Sequence, residues 1–211
     1  MGVPVLILGE SGTGKSASLR NFAPEDVGII NVAGKPLPFR NKLRCLDTDD
    51  YATISRALLG MKTPSAVIDD AQYLLANEYM RRANETGYQK YSDMANHYWS
   101  LIQLVIRELP SDRIVYFMSH IERDQNGNEK VKTIGKLLDE KITVEGMFSI
   151  VLKTHVQDGV YTFCTQNSGQ DTVKTPIGMF TDREIENDLK KVDDTIRDYY
   201  GLRSGTVEEV S

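Results

Sequence analysis

The residues able to do chemistry gather at a few points. The densest is Gly9-Glu10-Ser11-Gly12-Thr13-Gly14-Lys15-Ser16, a complete match to G-x-x-x-x-G-K-[ST]. Glycines at these spacings let backbone wrap closely around phosphate oxygens with its N–H groups turned inward. The lysine supplies positive charge to the β- and γ-phosphates, and the hydroxyl after it suits Mg2+. Gly9, Glu10, Ser11, Gly12, Thr13, Gly14, Lys15, Ser16 and Ala17 are therefore the expected ATP-binding residues. Lys15 is also a catalytic candidate and Ser16 a metal ligand. The alternative is a glycine-rich turn that binds nothing. The lysine, an apolar strand before the loop and a helix expected after it argue for phosphate, with the helix N-terminus adding partial positive charge.

A second point is Val67-Ile68-Asp69-Asp70, an apolar strand ending in two carboxylates. Asp69 is placed to orient a water on Mg2+, and Asp70 to polarise the attacking water. The competing reading is an aspartate that caps the following helix. A third point is Ser119-His120, at the end of an apolar run. In phosphate-loop folds the strand beside the acidic one often ends in a polar group that senses the γ-phosphate, so His120 or Ser119 is the candidate. The alternative is a satisfied histidine at a strand end. His97 and His155 have no companions in the sequence and read as structural or surface residues.

Elements able to position these points alternate along the chain, which predicts an α/β fold with a mostly parallel sheet. Strand-like runs are Val3–Leu8, Val27–Val32, Ala66–Ile68 and Ile114–Met118. Helices are expected over about Lys15–Asn21, Tyr51–Gly60, Ala71–Asn84, Tyr91–Leu109 and Leu137–Phe148. The helix from Tyr91 is amphipathic, with Met94, Trp99, Ile102, Val105 and Ile106 on one broad face. An irregular stretch fills Gly34–Asp50, and Asp124–Asn128 is a turn with Asn-Gly at its tip. Ser149–Val156 and Val160–Thr165 flank Asp158-Gly159 and read as a terminal hairpin. A polar C-terminal helix is expected from Asp182 to Tyr200. The resulting division is a core over 1–181, that helix over 182–200, and a flexible tail over 201–211.

The 211 residues fit one domain with a small appendage. No apolar run approaches the roughly 20 residues of a membrane span. The apolar start ends in a glycine-rich loop rather than in a cleavage site, so no signal peptide is expected. Cys45 and Cys164 make neither a disulfide framework nor a zinc site by spacing, which points to a reducing, cytoplasmic compartment. With 25 basic and 30 acidic residues the net charge is −5. Duplex readers draw affinity from neutralising phosphates, so this balance argues against one while allowing a local basic groove.

With these residues in hand, the chain resembles the RecA-like P-loop ATPases of tailed phages, a group also described as AAA-family ATPases. Some of its members are Sak-type recombination proteins that promote single-strand annealing. The resemblance rests on Gly9–Arg20, on Asn31-Val32-Ala33-Gly34-Lys35-Pro36-Leu37-Pro38, on Val67–Asp70 and on Thr133-Ile134-Gly135-Lys136-Leu137-Leu138-Asp139. It runs over nearly the whole chain, from Val3 to Tyr200. It implies ATP and Mg2+ as cofactors, a homo-oligomer, single-stranded DNA, and a phage recombination or single-strand-binding protein as partner, in the host cytoplasm. RecA proteins carry a catalytic glutamate at the end of the strand after the P-loop helix. Here that strand ends Asn31-Val32-Ala33-Gly34, without a carboxylate, so Asp70 is the favoured substitute. RecA-type assemblies also insert a basic residue from the neighbouring subunit at the γ-phosphate. No arginine is evident near the loop, and Lys174, just after the terminal hairpin, is the candidate; the alternative is a solvated lysine. The candidate DNA loop is Arg123–Lys136, where Lys130, Lys132 and Lys136 are offset by Glu122, Asp124 and Glu129. A plain hairpin is its alternative.

The function so implied is ATP hydrolysis in phage recombination or replication. One alternative is a nucleoside or nucleotide kinase, which shares the loop and the length. It lacks support from an arginine-rich lid, since Arg81-Arg82 falls on a helix and Arg123 is isolated. The other is a non-hydrolysing, nucleotide-dependent scaffold or loader.

Overall fold

The computed structural model describes residues 1–40, 42–135 and 137–202. Lys136 and the tail over 203–211 lie outside the described residues. The chain runs β1 (Val3–Leu8), β2 (Val27–Asn31), β3 (Cys45–Asp47), α1 (Tyr51–Leu59), β4 (Ser65–Asp69), α2 (Gln72–Arg81) and α3 (Gln89–Glu108). It continues with β5 (Ile114–Ser119), β6 (Ile121–Arg123), β7 (Glu129–Val131), β8 (Ile150–Gln157), β9 (Val160–Cys164), β10 (Glu184–Glu186) and α4 (Leu189–Tyr200). Strands β10-β9-β8-β1-β5-β4-β2-β3 form an 8-stranded sheet in that order, and β6 pairs with β7 apart from it. From β8 through β3 every pairing is parallel; β9 and β10 add antiparallel strands. The fold is therefore α/β, with a mostly parallel central sheet flanked by helices.

The parallel strands are apolar on both faces because both faces are covered. On one side Leu6, Ile68, Val115 and Phe117 pack against Ile54 and Leu58 of α1, Leu74 and Leu75 of α2, and Tyr98 and Ile102 of α3. On the other, Val5, Ile7, Val67 and Met118 meet Leu19 and Phe22 and the α4 residues Leu189, Val192 and Ile196. A buried polar cluster pins α4 beneath the sheet. Arg197 donates from Nε to Asp193 at 2.7 Å and from Nη1 to the Asp112 carbonyl at 3.0 Å. Tyr116 donates its hydroxyl to Asp193 Oδ1 at 2.8 Å. Each charge there is paired and hydrogen-bonded, the condition under which burial of charge is tolerated.

Four segments differ from the sequence expectation. The stretch Gly34–Asp50, expected to be irregular, holds the short strand β3 paired with β2. The helix expected from Lys15 is a single 3-10 run, Ser16–Asn21, of 6 residues. Ser18 turns its hydroxyl back onto the Lys15 carbonyl at 2.6 Å, and Pro24 disfavours helix in the residue before it. The run is too short for a macrodipole to contribute much. The segment Leu137–Phe148 breaks at Thr143, whose φ is 55°, into a π turn over Leu137–Ile142 and a 3-10 turn over Val144–Met147. The helix expected from Asp182 also splits. Ile185 between two glutamates has the period of a strand and pairs with Phe163, and Asp188 then caps α4 by accepting from Lys190 N at 3.0 Å. Gly201, at φ 62°, closes α4, and Leu202 folds back to donate to the Arg197 carbonyl at 2.8 Å. Among the described residues no helix is long and apolar enough to cross a membrane.

Candidate active site

The carboxyl ends of β1, β4 and β5 come together, which is where open parallel sheets place their ligands. β5 lies between the other two, with Leu8 in register with Ser119 and Ile68 with Phe117. Around these ends is a cavity of about 390 Å3, lined by Ser11, Gly12, Gly14, Lys15, Ser16, Ala17, Asn31, Lys35, Pro36, Pro38, Asp69, Asp70, His120 and Tyr161.

The loop after β1 is fastened at several points. Gly9 donates to the Ser119 carbonyl at 3.2 Å, and a Cβ at Gly9 would overlap Thr154 Oγ1. Thr13 Oγ1 donates to the Glu10 carbonyl at 2.8 Å and lies 2.6 Å from Thr154 Oγ1 on β8. Gly14 has φ 93°, where only glycine is unstrained, and a Cβ there would come within 2.9 Å of Tyr161. Lys15 is 6% exposed. Its Nζ donates to the Gly9 and Glu10 carbonyls at 2.9 and 2.8 Å. Burial lowers its pKa to about 8, against the opposing pull of Asp70 and Asp69. A polyanion in the cavity would offer this ammonium better partners than two carbonyls.

Ser16 Oγ donates to Asp69 Oδ1 at 3.0 Å, across 53 residues of sequence. Asp69 is buried. Burial pushes its pKa up, and the serine hydrogen bond works against that rise. A hydroxyl and a carboxylate side by side are hard oxygen donors, the set that Mg2+ takes together with water and phosphate oxygens. Ser16 and Asp69 therefore fit that ion.

Asp70 sits at φ 58°, a conformation uncommon outside glycine. Its carboxylate does not cap α2, which starts without a side-chain cap. Instead it lies 3.1 Å from Lys35 Nζ and 3.5 Å from His120 Nε2. Burial, then the Lys15 charge, lower the pKa of His120. Backbone N–H of His120 donates to Gln72 Oε1 at 3.2 Å, which fixes the turn that aims the ring. Ser119, the other candidate at this strand end, is fully buried and does not line the cavity.

No protein-family model and no curated protein matches the chain.

Of the sequence candidates, Lys15, Ser16, Asp69, Asp70 and His120 meet in one place. Lys174 does not line the cavity. It is exposed, and its backbone pairs with Val151 through hydrogen bonds of 2.8 and 3.0 Å, two residues short of the β8 position level with the loop. Two cations that the sequence reading did not bring to the loop are close to it. Lys35, just after Gly34, reaches Asp70 and lies 5.0 Å over the Tyr73 ring. Arg123 is not isolated: Nη2 meets Glu10 Oε1 of the loop at 3.1 Å and Glu129 Oε1 at 3.0 Å. The chain thus has cations of its own near the loop, each paired with a carboxylate, beside the lysine expected from a neighbour. Tyr161 on β9 was likewise missed. Lys35 alone left a trace in the sequence, as a lysine just beyond the strand next to the acidic one.

Of the Arg123–Lys136 segment, the described residues hold the last residue of β6, the turn and β7, with Lys130 lying 3.5 Å from Glu122 on β6. His97 is held by Glu78 at 3.0 Å, in keeping with a structural role. His155 is not without companions: its Nδ1 is 3.3 Å from Glu184 Oε1.

Proposed function

We propose that the chain is an ATP-binding and hydrolysing P-loop ATPase with a RecA-like core, acting as a homo-oligomer with single-stranded DNA in phage recombination or replication. The observation that carries the nucleotide reading is the Ser16–Asp69 hydrogen bond beside the folded-back Lys15. It joins the two motifs whose separate meanings were read from sequence. The DNA and oligomer parts rest on the resemblance alone.

In this reading the loop N–H groups and Lys15 bind the β- and γ-phosphates. Ser16 and Asp69 hold Mg2+, which supplies charge neutralisation on those phosphates. Asp70 accepts a proton from the attacking water, with Lys35 and His120 holding its carboxylate in position. Among the described residues, Asp70 is the cavity-lining carboxylate beside Asp69, and it takes the part of the glutamate absent after Asn31. Tyr161 and Pro38 also line the cavity.

Calorimetric titration with ATP and Mg2+ tests the reading. Lys15→Ala removes a charge-assisted contact worth about 1.5–3 kcal/mol, so binding should weaken roughly 10- to 100-fold. Affinity equal to the unsubstituted chain would sink the assignment. Turnover measured with and without single-stranded oligonucleotide then tests the DNA half separately.

A further inference from the structure

The antiparallel extension carries a cluster that the nucleotide reading does not use. On β8, β9 and β10, His155, Cys164 and Glu184 project from one face of the sheet. Strand register places them there: Glu184 is opposite Cys164, and His155 is opposite Thr162, two residues along from Cys164. Phe163 and Ile185 alternate onto the other face and enter the core. Among the described residues this is the one group of three or more such donors whose ligand atoms approach one another, all within 4.8 Å. We propose that His155, Cys164 and Glu184 form a binding site for a borderline d-block divalent cation, of which zinc is the representative.

The donor set carries the choice of metal. Thiolate, imidazole and carboxylate together select zinc-like ions, whereas Mg2+ prefers all-oxygen sets such as Ser16 and Asp69. The distances are those of a site one small adjustment from closure. Zinc bonds of about 2.0–2.3 Å put neighbouring donors of a tetrahedron roughly 3.3–3.7 Å apart. His155 Nδ1 and Glu184 Oε1 already stand at 3.3 Å. Cys164 completes the triangle from a half-buried position, with a fourth place left for water or an incoming ligand.

The surroundings tolerate the ion. Lys153, opposite Cys164, would repel a cation, but its charge is answered by Glu129 at 2.8 Å and Asp171 at 3.1 Å. Thr162, between the donors on β9, lies 3.1 Å from Glu184 Oε2 and steadies the carboxylate. Binding replaces the thiol proton by the metal: the S–H bond breaks, the sulfur lone pair forms the metal bond, and one proton leaves to buffer. Affinity therefore rises with pH. A bound ion would tie β10 to β8 and β9. The residues straight after β10 hold the turn behind the phosphate loop, Arg20 donating to the Asn187 carbonyl and Asn21 to Asp188 at 2.8 Å.

The test is a cobalt(II) titration of the tag-free full chain in a Cys45→Ser background, which removes the exposed second thiol. The expected result is a thiolate-to-cobalt charge-transfer band that saturates at one cobalt per chain and is bleached by zinc. Cys164→Ser should abolish the band. Glu184→Gln, an exposed change outside the core, should weaken cobalt binding by at least the roughly 10- to 100-fold that loss of even an outer partner costs. Absence of the band at saturating cobalt overturns the site. So does a band that survives Cys164→Ser, or one whose midpoint is untouched by both Glu184→Gln and His155→Ala. Circular dichroism of each variant separates lost ligands from lost fold. The readout involves no nucleotide, so failure of the ATPase reading and failure of this one are distinct results.

Discussion

At the middle of the sheet, the loop after β1 and the end of β4 bring hard oxygen donors beside a buried ammonium. At its antiparallel edge, β8, β9 and β10 turn an imidazole, a thiol and a carboxylate to one half-open face. The middle is covered on both sides by helices, so its polar groups are desolvated and held by many partners. Such groups cost stability and gain electrostatic strength. The edge strands are packed on one side only, so their outward residues keep water and can shift by an ångström at little cost. The two regions thus separate preorganisation from adjustability. Substitutions in the middle should act on turnover and on the stability of the empty protein, and substitutions at the edge on neither.

The largest effect is expected at Asp69. Asp69→Asn keeps the hydrogen bond from Ser16 but removes the charge that would answer Mg2+ in the proposed reading. If charge develops on the γ-phosphate during transfer, loss of one fixed electrostatic partner costs about 10²–10³ in kcat. ATP binding should fall far less. Rapid-quench turnover beside equilibrium binding reads the two separately. Equal loss in both would make Asp69 a binding residue only, and unchanged turnover would reduce it to a strand-end group.

A smaller effect, opposite in sign, is expected in stability at Lys15. The drop from its ordinary value of 10.5 to about 8 corresponds to a net cost of roughly 3 kcal/mol, burial outweighing the pull of Asp70 and Asp69. Below about pH 8 the lysine is charged in both folded and unfolded chains, and the folded protein bears the whole penalty. Between about 8 and 10.5 the unfolded chain holds a proton that the folded one has released, so stability rises with pH across that window. Lys15→Met keeps the volume without the charge. It should be the more stable protein at pH 7, by up to about 3 kcal/mol in denaturant melts, and its advantage should shrink as pH approaches 10. A difference independent of pH would mean that the ammonium is not the source.

These two residues were legible from sequence because their motifs are local: glycine spacing and a strand ending in aspartate need no tertiary information. The parallel strands were legible for a related reason, being short apolar runs between turn signals. The other groups are products of register. Arg123 lies 113 residues from Glu10, and nothing near either announces the other. Cys164 and Glu184 meet only because β10 exists, and a 3-residue strand with two exposed glutamates reads as helix in a polar segment. The two-cysteine count argued against a zinc site because it considered spacing along the chain, whereas the proposed site would draw its donors from three neighbouring strands. The short 3-10 turn after Ser16 escaped because the loop motif carries an expectation of helix that Ser18 and Pro24 locally defeat.

The smallest effect is expected at Lys174, beside the start of β8. Its side chain is exposed and its part in the fold is a backbone bridge to Val151, which any residue other than proline can make. Lys174→Ala should therefore shift stability by no more than about 0.5 kcal/mol. Its effect on turnover decides where the stabilising cation comes from. With Lys35 at Asp70 and Arg123 at Glu10, the chain has cations of its own at the loop, and turnover should stay within about twofold of the unsubstituted protein. A cation supplied across a subunit boundary would instead be worth roughly 10³–10⁵ in rate. In that case Lys174→Ala chains would be inactive alone and partly rescued by mixing with Lys15→Ala chains, since an intact loop on one subunit could meet an intact lysine on another. Rescue on mixing would move the cation from the loop's own neighbourhood to the subunit boundary, and would join the exposed start of β8 to the chemistry at the middle of the sheet.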